Sequence, residues 1–398
     1  MILRASPQPR EGVLVLAMGL GQVIAFASSF YLMGVLGDAI GRDLHLTTGF
    51  VFGMVSLALA VTAVTAPAVA RRIDLRGGKP ILLMSNVVFA TGLVLVGFAQ
   101  DGVRLAVGMT VVGFGMSLGL SPTPFAILVS LYGEAARRPI TGVTLLGGLS
   151  SALGWPLTAW LAEHLGWRGA CFAWAGLHVA VCLPLAAWIV PHTHGHLAKA
   201  TPAGQPTAVP WDRAMIQLAV LFAIAWFIST CMSAHLPRLL QGFGLTTQAA
   251  IATAALLGVA AVGTRLAEFT FLRNLDPPIT TRVATLMHPL GAGLLIALGA
   301  SGAPLMVIGQ GAGNGMLTVA KGVLPLRLYG PSNYAYRSAL LTRPAQFAQI
   351  AGPAAYGLLL ERSAALALVA SSALCLVMFA MTFGIGRTRQ ASTETAPA

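Results

Sequence analysis

Four charged residues interrupt long apolar stretches in the second half of the chain: Arg265, Glu268, Lys321 and Arg343. A charge in such surroundings is costly, so it usually faces a partner, a cavity or a ligand. The guanidinium of arginine presents a fork of N–H donors that matches the two oxygens of a carboxylate. Three bases against one acid also leave this region net positive. The pattern therefore favours recognition of a small organic anion by Arg265, Arg343 and Lys321.

Two roles without a substrate also fit these charges. Arg265 and Glu268 are three residues apart, on one face of a helix, where they can neutralise each other. All three bases also lie about six residues, roughly 9 Å, from the predicted cytoplasmic ends of their helices, within reach of the membrane surface. Glu268 and His235 are in addition the candidates for proton coupling, because a perturbed carboxylate or imidazole changes its protonation at accessible pH.

The apolar stretches that carry these residues are long enough to cross a bilayer. Of the 398 residues, 56% are hydrophobic and 9% are charged, whereas a soluble protein carries roughly a quarter charged residues. Residues 81–99 and 363–386 each run about 20 residues without a charge, which is the length that the hydrocarbon core requires. We predict an all-α membrane protein with twelve transmembrane helices, at about residues 12–37, 48–70, 80–99, 103–131, 139–163, 168–190, 213–237, 247–272, 281–300, 303–327, 337–360 and 363–386.

The basic residues are distributed unevenly over the loops of this topology. Of the 24 lysines and arginines, 16 fall in the tails and loops on one side and 5 in the loops on the other. Such an excess marks the cytoplasmic side. It predicts that both termini are cytoplasmic in a bacterial-type inner membrane, and it accounts for the net charge of +12 without a nucleic-acid partner.

Short sequences recur at half the length of the chain. Leu46-Thr47-Thr48 returns as Leu245-Thr246-Thr247, and Leu131-Tyr132-Gly133 returns as Leu328-Tyr329-Gly330. The matches predict two parallel repeats: a six-helix bundle in residues 1–190 and another in residues 212–386, joined by a cytoplasmic linker at 191–211 and followed by a disordered cytoplasmic tail at 387–398. Because the first span has a counterpart in the seventh, we interpret it as structural and not as a cleaved signal.

The loop between the second and third spans, ARRIDLRGGKP at residues 70–80, carries five charges. Together with the two six-helix halves, it resembles the major facilitator superfamily, whose signature here is Gly-x-x-x-Asp-Arg-x-Gly-Arg-Arg. Asp74, Gly77 and Lys79 match that signature, whereas Ala70, Leu75 and Gly78 depart from it. The resemblance implies a secondary transporter with alternating access.

The same resemblance implies a conformational latch formed by Asp74, Arg76, Gly77 and Lys79. In it, Asp74 would meet the cytoplasmic start of the eleventh span, because the N–H groups at a helix N-terminus stabilise an anion. The alternative is an ordinary basic cytoplasmic loop, which accounts for the bases but not for the acid.

A narrower resemblance concerns GWPLTAWLAEHLGWRGACF at residues 154–172. It is similar to the monocarboxylate and oxalate/formate transporter branch, and its Gly154-Trp155-Pro156 interrupts the Gly-Pro pair usual in drug/proton exporters. The resemblance implies that Arg265 meets a substrate carboxylate. It implies a base in the eleventh span too, which Arg343 matches in charge only, since lysine is usual there. Glu268 follows the base of the eighth span, whereas the acid of that branch precedes it.

Polar residues on the first, fourth, seventh and tenth spans are expected to line the cavity of such a transporter. Tyr31, Gln310 and Asn314 are predicted substrate contacts, and further cavity candidates are Gln22, Ser28, Ser29, Ser117, Ser121, Thr230, His235 and Thr318. Each can instead bond a neighbouring helix. In the linker, His192, His194 and His196 are spaced two residues apart. In an extended chain they lie on one side, where they can bind a divalent metal or be solvated.

The sequence thus predicts a monomeric secondary transporter of a small, monocarboxylate-like anion, working with or without a proton. No phosphate loop, nucleotide motif or catalytic triad occurs, so we expect no cofactor, no metal site, no nucleic-acid partner and no enzymatic activity. Two alternatives stay open: an efflux permease for drugs, metals or metalloids, and a membrane receptor that does not transport. Substrate identity, direction, coupling ion and oligomeric state are left undetermined by the sequence.

Overall fold

The computed structural model describes residues 10–193, 209–272 and 275–385. These residues form α-helices joined by short turns, and no β-strand occurs among them. The helices are α1 (Glu11–Ala27), α2 (Leu32–Asp43), α3 (Thr48–Arg76), α4 (Lys79–Gly97), α5 (Gly102–Gly119), α6 (Pro122–Tyr132), α7 (Arg137–Gly147), α8 (Ser150–Leu177), α9 (Leu183–Trp188), α10 (Arg213–Gln241), α11 (Thr247–Thr270), α12 (Pro277–Leu298), α13 (Ala303–Tyr329), α14 (Tyr334–Arg362) and α15 (Ala364–Met381).

The all-α membrane fold is confirmed, and each predicted span falls on one helix or on consecutive helices. In the described part of the chain, eight continuous segments are long and apolar enough to cross a membrane, and some of them hold several spans, such as Gly102–Trp188. The helix α14 is not among these segments, because Arg343, Gln346 and Gln349 interrupt its apolar run.

The chain forms two compact units. Unit 1 comprises Met1–Pro206 together with Pro331–Ala339, and unit 2 comprises Thr207–Gly330 together with Leu340–Ala398. The first turn of α14 therefore belongs to unit 1 and the rest of that helix to unit 2. The predicted boundaries of the bundles, linker and tail stay a prediction. Most of the linker, with His194 and His196, and the tail lie outside the described residues.

In unit 2, glycines bring α13 into backbone contact with α11. A Cβ added at Gly311 would lie 2.4 Å from the Leu257 carbonyl oxygen, and one at Gly315 would lie 2.6 Å from that of Ala261. No side chain fits there, so the helices approach as closely as small residues allow in a membrane. The two contacts advance by one turn along both helices in the same direction. This seam fixes the register between α11 and α13.

Unit 1 has a corresponding seam between α3 and α5. A Cβ added at Gly113 would lie 2.5 Å from the Ala58 carbonyl oxygen. The Thr62 hydroxyl lies 2.8 Å from both the Ala58 and the Gly113 carbonyl oxygens. Gly113 and Gly311 are 198 residues apart, so the packing repeats at the spacing of the sequence matches.

Unit 1 contains three irregularities in its helices. The first span is divided between α1 and α2 at residues 28–31, and a π-helix at His178–Cys182 separates α8 from α9. Inside α8, Gly166 has φ +70°, a left-handed conformation that glycine adopts without steric cost, and it marks the boundary between the fifth and sixth spans. Irregular turns inside membrane helices need partners for the backbone groups they release.

Candidate functional site

Three polar residues form one face of α13, and we call them the α13 stripe: Asn314, Thr318 and Lys321. Their spacing of four and three residues aligns them on a helix. All three are half-buried, whereas Gly315, Met316, Val319 and Ala320 between them are buried. Together with the half-buried Leu317, the α13 stripe is the less buried face of this part of the helix.

Arg265 reaches the α13 stripe from α11. It is 8% exposed, and its Nη2 donates to Thr318 Oγ1 at 3.3 Å. The Thr318 hydroxyl in turn donates to the Asn314 carbonyl oxygen at 2.7 Å. The glycine seam accounts for this meeting, because one turn beyond the Ala261–Gly315 contact the next facing positions are Arg265 and Thr318. A guanidinium in this position suits a carboxylate.

Lys321 ends the α13 stripe and lies against an aromatic ring. Its Nζ is 4.7 Å from the centre of the Trp226 ring of α10. No ion pair of Lys321 with a carboxylate occurs in the described part of the chain. The face of an indole attracts an ammonium group without neutralising it. Lys321, the second cation of the candidate site after Arg265, is thus held in place without an ion pair to any acid that the structure describes.

Two further candidates of unit 2 are buried close to these cations along the chain. Glu268 follows Arg265 by one turn of α11 and is 3% exposed. Gln310 precedes Asn314 by one turn of α13 and is 5% exposed. A buried acid one turn from a buried base lowers the electrostatic cost of holding both inside the protein.

The remaining predicted contacts are Arg343, His235 and Tyr31. Arg343 is on an exposed face of α14. His235 of α10 is half-buried, with its ring centre 6.1 Å from that of Tyr356. Tyr31 lies in unit 1 at the break between α1 and α2, where its ring and that of Trp155 meet edge to face with 5.9 Å between their centres. Within unit 2, the hydrogen bond to Thr318 joins Arg265 to the helix face that carries Lys321.

In unit 1, Asp74 lies at the N-terminus of α14. Its carboxylate accepts hydrogen bonds from the backbone N–H groups of Ala335 at 3.2 Å and of Tyr336 at 2.8 Å, and the residue is 5% exposed. The guanidinium of Arg71 lies 5.4 Å from the centre of the Tyr336 ring. An acid that binds two N–H groups at a helix start satisfies donors that have no partner within the helix.

The rest of this loop contacts the end of the sixth span. Lys79 Nζ donates to the Ala187 carbonyl oxygen at 2.7 Å, near the last turn of α9. Gly77 has φ +86°, and a Cβ there would lie 1.9 Å from the Thr193 carbonyl oxygen. Arg76 is exposed. The loop thus offers an anion to one helix N-terminus and a cation to one helix C-terminus, as helix dipoles favour. Its role as a conformational latch stays a prediction.

The sequence interpretation missed a buried histidine in unit 1. The ring of His178 bonds Ser28 Oγ through Nε2 at 2.9 Å and Asn86 Oδ1 through Nδ1 at 3.0 Å. It also stacks on Phe89 with 4.8 Å between ring centres. Three spans therefore meet at one imidazole. The available signals were a histidine and an asparagine in otherwise apolar runs.

The Gly-Trp-Arg sequence of the narrower resemblance has a structural role in unit 1. Arg168 forms an ion pair with Asp43 and donates to the Ala99 carbonyl oxygen at 3.0 Å. It also lies 4.2 Å from the centre of the Trp167 ring, whose Nε1 donates to Asp43 at 3.3 Å. These contacts join three loops at one end of the unit.

A family model described as the Major Facilitator Superfamily matches residues 18–309, most of the chain. The chain belongs to this superfamily. Its crystal-structure neighbours include the human organic anion transporter MFSD10 (TETRAN), with a TM-score of 0.70, 16% identity and coverage of 94% of this chain and 100% of that one. The Escherichia coli fucose:proton symporter FucP gives a TM-score of 0.74 at 13% identity, covering 94% and 98%. At these identities the neighbours establish the fold alone.

Two curated relatives match over shorter stretches. A gallate transporter of Pseudomonas putida is 31% identical over 183 residues, which is 44% of this chain and 39% of the relative. Monocarboxylate transporter 14 of Mus musculus is 25% identical over 179 residues, which is 45% of this chain and 35% of the relative. The matches therefore span well under half of each of these relatives.

Proposed function

We propose that this superfamily member is a secondary active transporter of a small, monocarboxylate-like organic anion. The observation that carries the proposal is the buried Arg265 guanidinium, held against the polar face of α13 inside a membrane-spanning unit. In this site the substrate carboxylate binds Arg265 beside Thr318, with the Asn314 amide and the Lys321 ammonium as further contacts. Alternating access then carries the bound anion across the membrane.

Charge balance supports a monoanion. Arg265 and Lys321 contribute two positive charges, and an ionised Glu268 contributes one negative charge. The sum of +1 is neutralised by one carboxylate, so that the loaded site does not carry a net charge through the low-dielectric core. Protonation of Glu268 would raise the sum, which makes this acid, with His235, a candidate for coupling a proton to transport. Tyr31, Gln310 and Arg343 remain predicted contacts.

The relatives support the same substrate class. The gallate transporter and the monocarboxylate transporter are each named for anionic substrates. Their names agree with a site built around an arginine. The superfamily membership supports transport over catalysis. We further propose that the protein is monomeric and lies in a bacterial-type inner membrane, with both termini in the cytoplasm.

The proposed latch supports a transporter that changes conformation. Asp74 holds the first turn of α14 through two N–H groups, and Lys79 holds the end of α9. Both contacts are single charged side chains on helix ends, and such bonds can open and close without unfolding a helix. We propose that Asp74, Arg76, Gly77 and Lys79 stabilise one of the alternating states.

A ligand screen tests the function directly. Purified protein is heated with aliphatic and aromatic monocarboxylates, with lipophilic cations and with divalent metals, because a ligand that binds only the folded state raises the unfolding temperature. We expect stabilisation by monocarboxylates in the parent and its loss in Arg265→Ala. Stabilisation by lipophilic cations or metals alone would contradict the proposal and favour an efflux permease.

A further inference from the structure

A small, partly open cavity lies in unit 1 between α1, α4, the junction of α5 and α6, and the end of the sixth span. Its volume is about 30 Å³, and a cavity needs roughly 10–15 Å³ of such space to hold a water molecule. Most of its lining is apolar, but Gln22, Ser85, Asn86 and Gly119 contribute polar atoms. The cavity has the size of a site for one or two water molecules.

The amide oxygen of Gln22 is the polar atom of this cavity that lacks a hydrogen-bond donor among the described residues. Its Nε2 donates to the Gly119 carbonyl oxygen at 2.8 Å, which fixes the orientation of the amide. The side chain is 4% exposed, and its Oε1 has no hydrogen-bond partner among the described residues. A buried amide oxygen without a donor is destabilising, and native proteins satisfy nearly all such groups.

We propose that this cavity binds an ordered water molecule held by Gln22, Ser85 and Asn86. The water donates to Gln22 Oε1 and to Ser85 Oγ, whose own proton is directed to the Leu82 carbonyl oxygen at 2.7 Å. It accepts from the second proton of Asn86 Nδ2, whose first proton goes to the same carbonyl at 2.9 Å. Three hydrogen bonds are the usual number for a buried water.

The ligand is a neutral water and not a cation. No acidic residue lines the cavity, and its polar atoms are amide, hydroxyl and carbonyl groups. A monovalent cation at this depth would need a compensating negative charge. A water molecule needs only the donors and acceptors that are present.

The water extends the polar network around His178. Asn86 bonds the water through Nδ2 and the imidazole through Oδ1, and the imidazole bonds Ser28 at the end of α1. The bound water therefore links Gln22, in the middle of α1, through Asn86 and His178 to Ser28, where the first span breaks. This chain of hydrogen bonds also includes the start of the π-helix in the sixth span, because His178 is its first residue.

Hydroxyl-radical footprinting of the full-length protein in lipid nanodiscs tests the site, because X-ray radiolysis of a bound water labels the side chains beside it. Met18 and Cys182 line the cavity and are each 4% exposed. Met109 and Cys171 are at least as buried in unit 1, at 1% and 0%, but do not line it. We expect labelling of the first pair and none of the second, and loss of that labelling in Gln22→Leu.

The outcomes separate the possibilities. Equal labelling of both pairs, or unchanged labelling in Gln22→Leu, overturns the proposal. If Gln22→Leu does not give a monodisperse protein, Ser85→Ala removes one of the three partners, and labelling of Met18 must then fall. Labelling that rises when choline replaces sodium would identify a bound cation and would also overturn it.

Discussion

Arg265 gives the sharpest test of the proposed site. The side chain is 8% exposed and donates a hydrogen bond of 3.3 Å to Thr318. Removing a charge-assisted bond costs about 1.5–3 kcal/mol, which corresponds to roughly ten- to hundredfold weaker anion binding in Arg265→Ala. Arg265→Lys keeps the charge and loses the fork, so its effect should be smaller. Thr318→Val removes the positioning bond, and its cost of about 0.5–1.5 kcal/mol predicts a loss of about two- to tenfold.

The assay is uptake of the most stabilising monocarboxylate into proteoliposomes, together with its dissociation constant by calorimetry. Arg282→Gln is the matched control. Arg282 is a cation of the same unit, but its guanidinium lies 4.8 Å from the centre of the Phe383 ring and donates to the Thr382 carbonyl oxygen at 3.4 Å. The control changes the net charge of the protein as much as Arg265→Ala does, so equal losses in both would reflect a general charge effect.

A purely structural Arg265 would only neutralise Glu268, one turn away on α11. In that case Arg265→Ala fails because it leaves a buried acid without its base, and removing both should restore activity. The double variant Arg265→Ala/Glu268→Ala separates the two roles. Anion binding close to that of the parent in the double variant would refute the substrate role of Arg265.

Three more predictions follow from the described contacts. Asp74→Asn removes the charge at the start of α14, and hydrogen exchange at the Ala335 and Tyr336 amides should accelerate by about fivefold for each kcal/mol lost; unchanged exchange would contradict the capping role. Trp226→Leu removes the ring that holds the Lys321 ammonium and should weaken anion binding, measured by calorimetry, by about two- to fivefold. An unchanged dissociation constant would contradict a contact between Lys321 and the substrate. Arg168→Ala breaks a half-exposed cluster and should lower the unfolding temperature slightly, at a cost of about 1 kcal/mol, while leaving anion affinity unchanged; a loss of affinity would show that the cluster acts on the site.

The sequence allowed the helices to be predicted well, because bilayer length and apolar runs leave few alternatives for a chain with so few charges. It did not predict the breaks inside them. The division of the first span at residues 28–31 and the π-helix at His178–Cys182 depend on hydrogen bonds between spans, and no local pattern records which spans meet. His178 therefore looked like an isolated residue in an apolar run.

The candidate site shows the same limit. Arg265, Lys321 and Arg343 are equivalent in the sequence as bases within apolar runs. The direction of each side chain follows from helix register, which the glycine seam fixes for Arg265 through Gly315 and Ala261. Arg343 lies on an exposed face of its helix instead. The charge pattern suggested the proposed chemistry, and the packing shows which of the three bases bonds to the α13 stripe from a neighbouring helix.

The glycine seam also bears on how such a protein can diverge after duplication. Counted back by the 199 residues that separate the facing positions Ala58 and Leu257, the position of Arg265 corresponds to Ala66 in α3. The seam at Gly113 and Ala58 keeps its backbone contact although the residue nearby carries no charge. Backbone contacts set the helix spacing without using the side chains one turn further on. A substitution at that position can therefore introduce or remove a charge in one half while the helix pair stays intact. One half can then acquire a recognition group while the other half evolves under a separate selection.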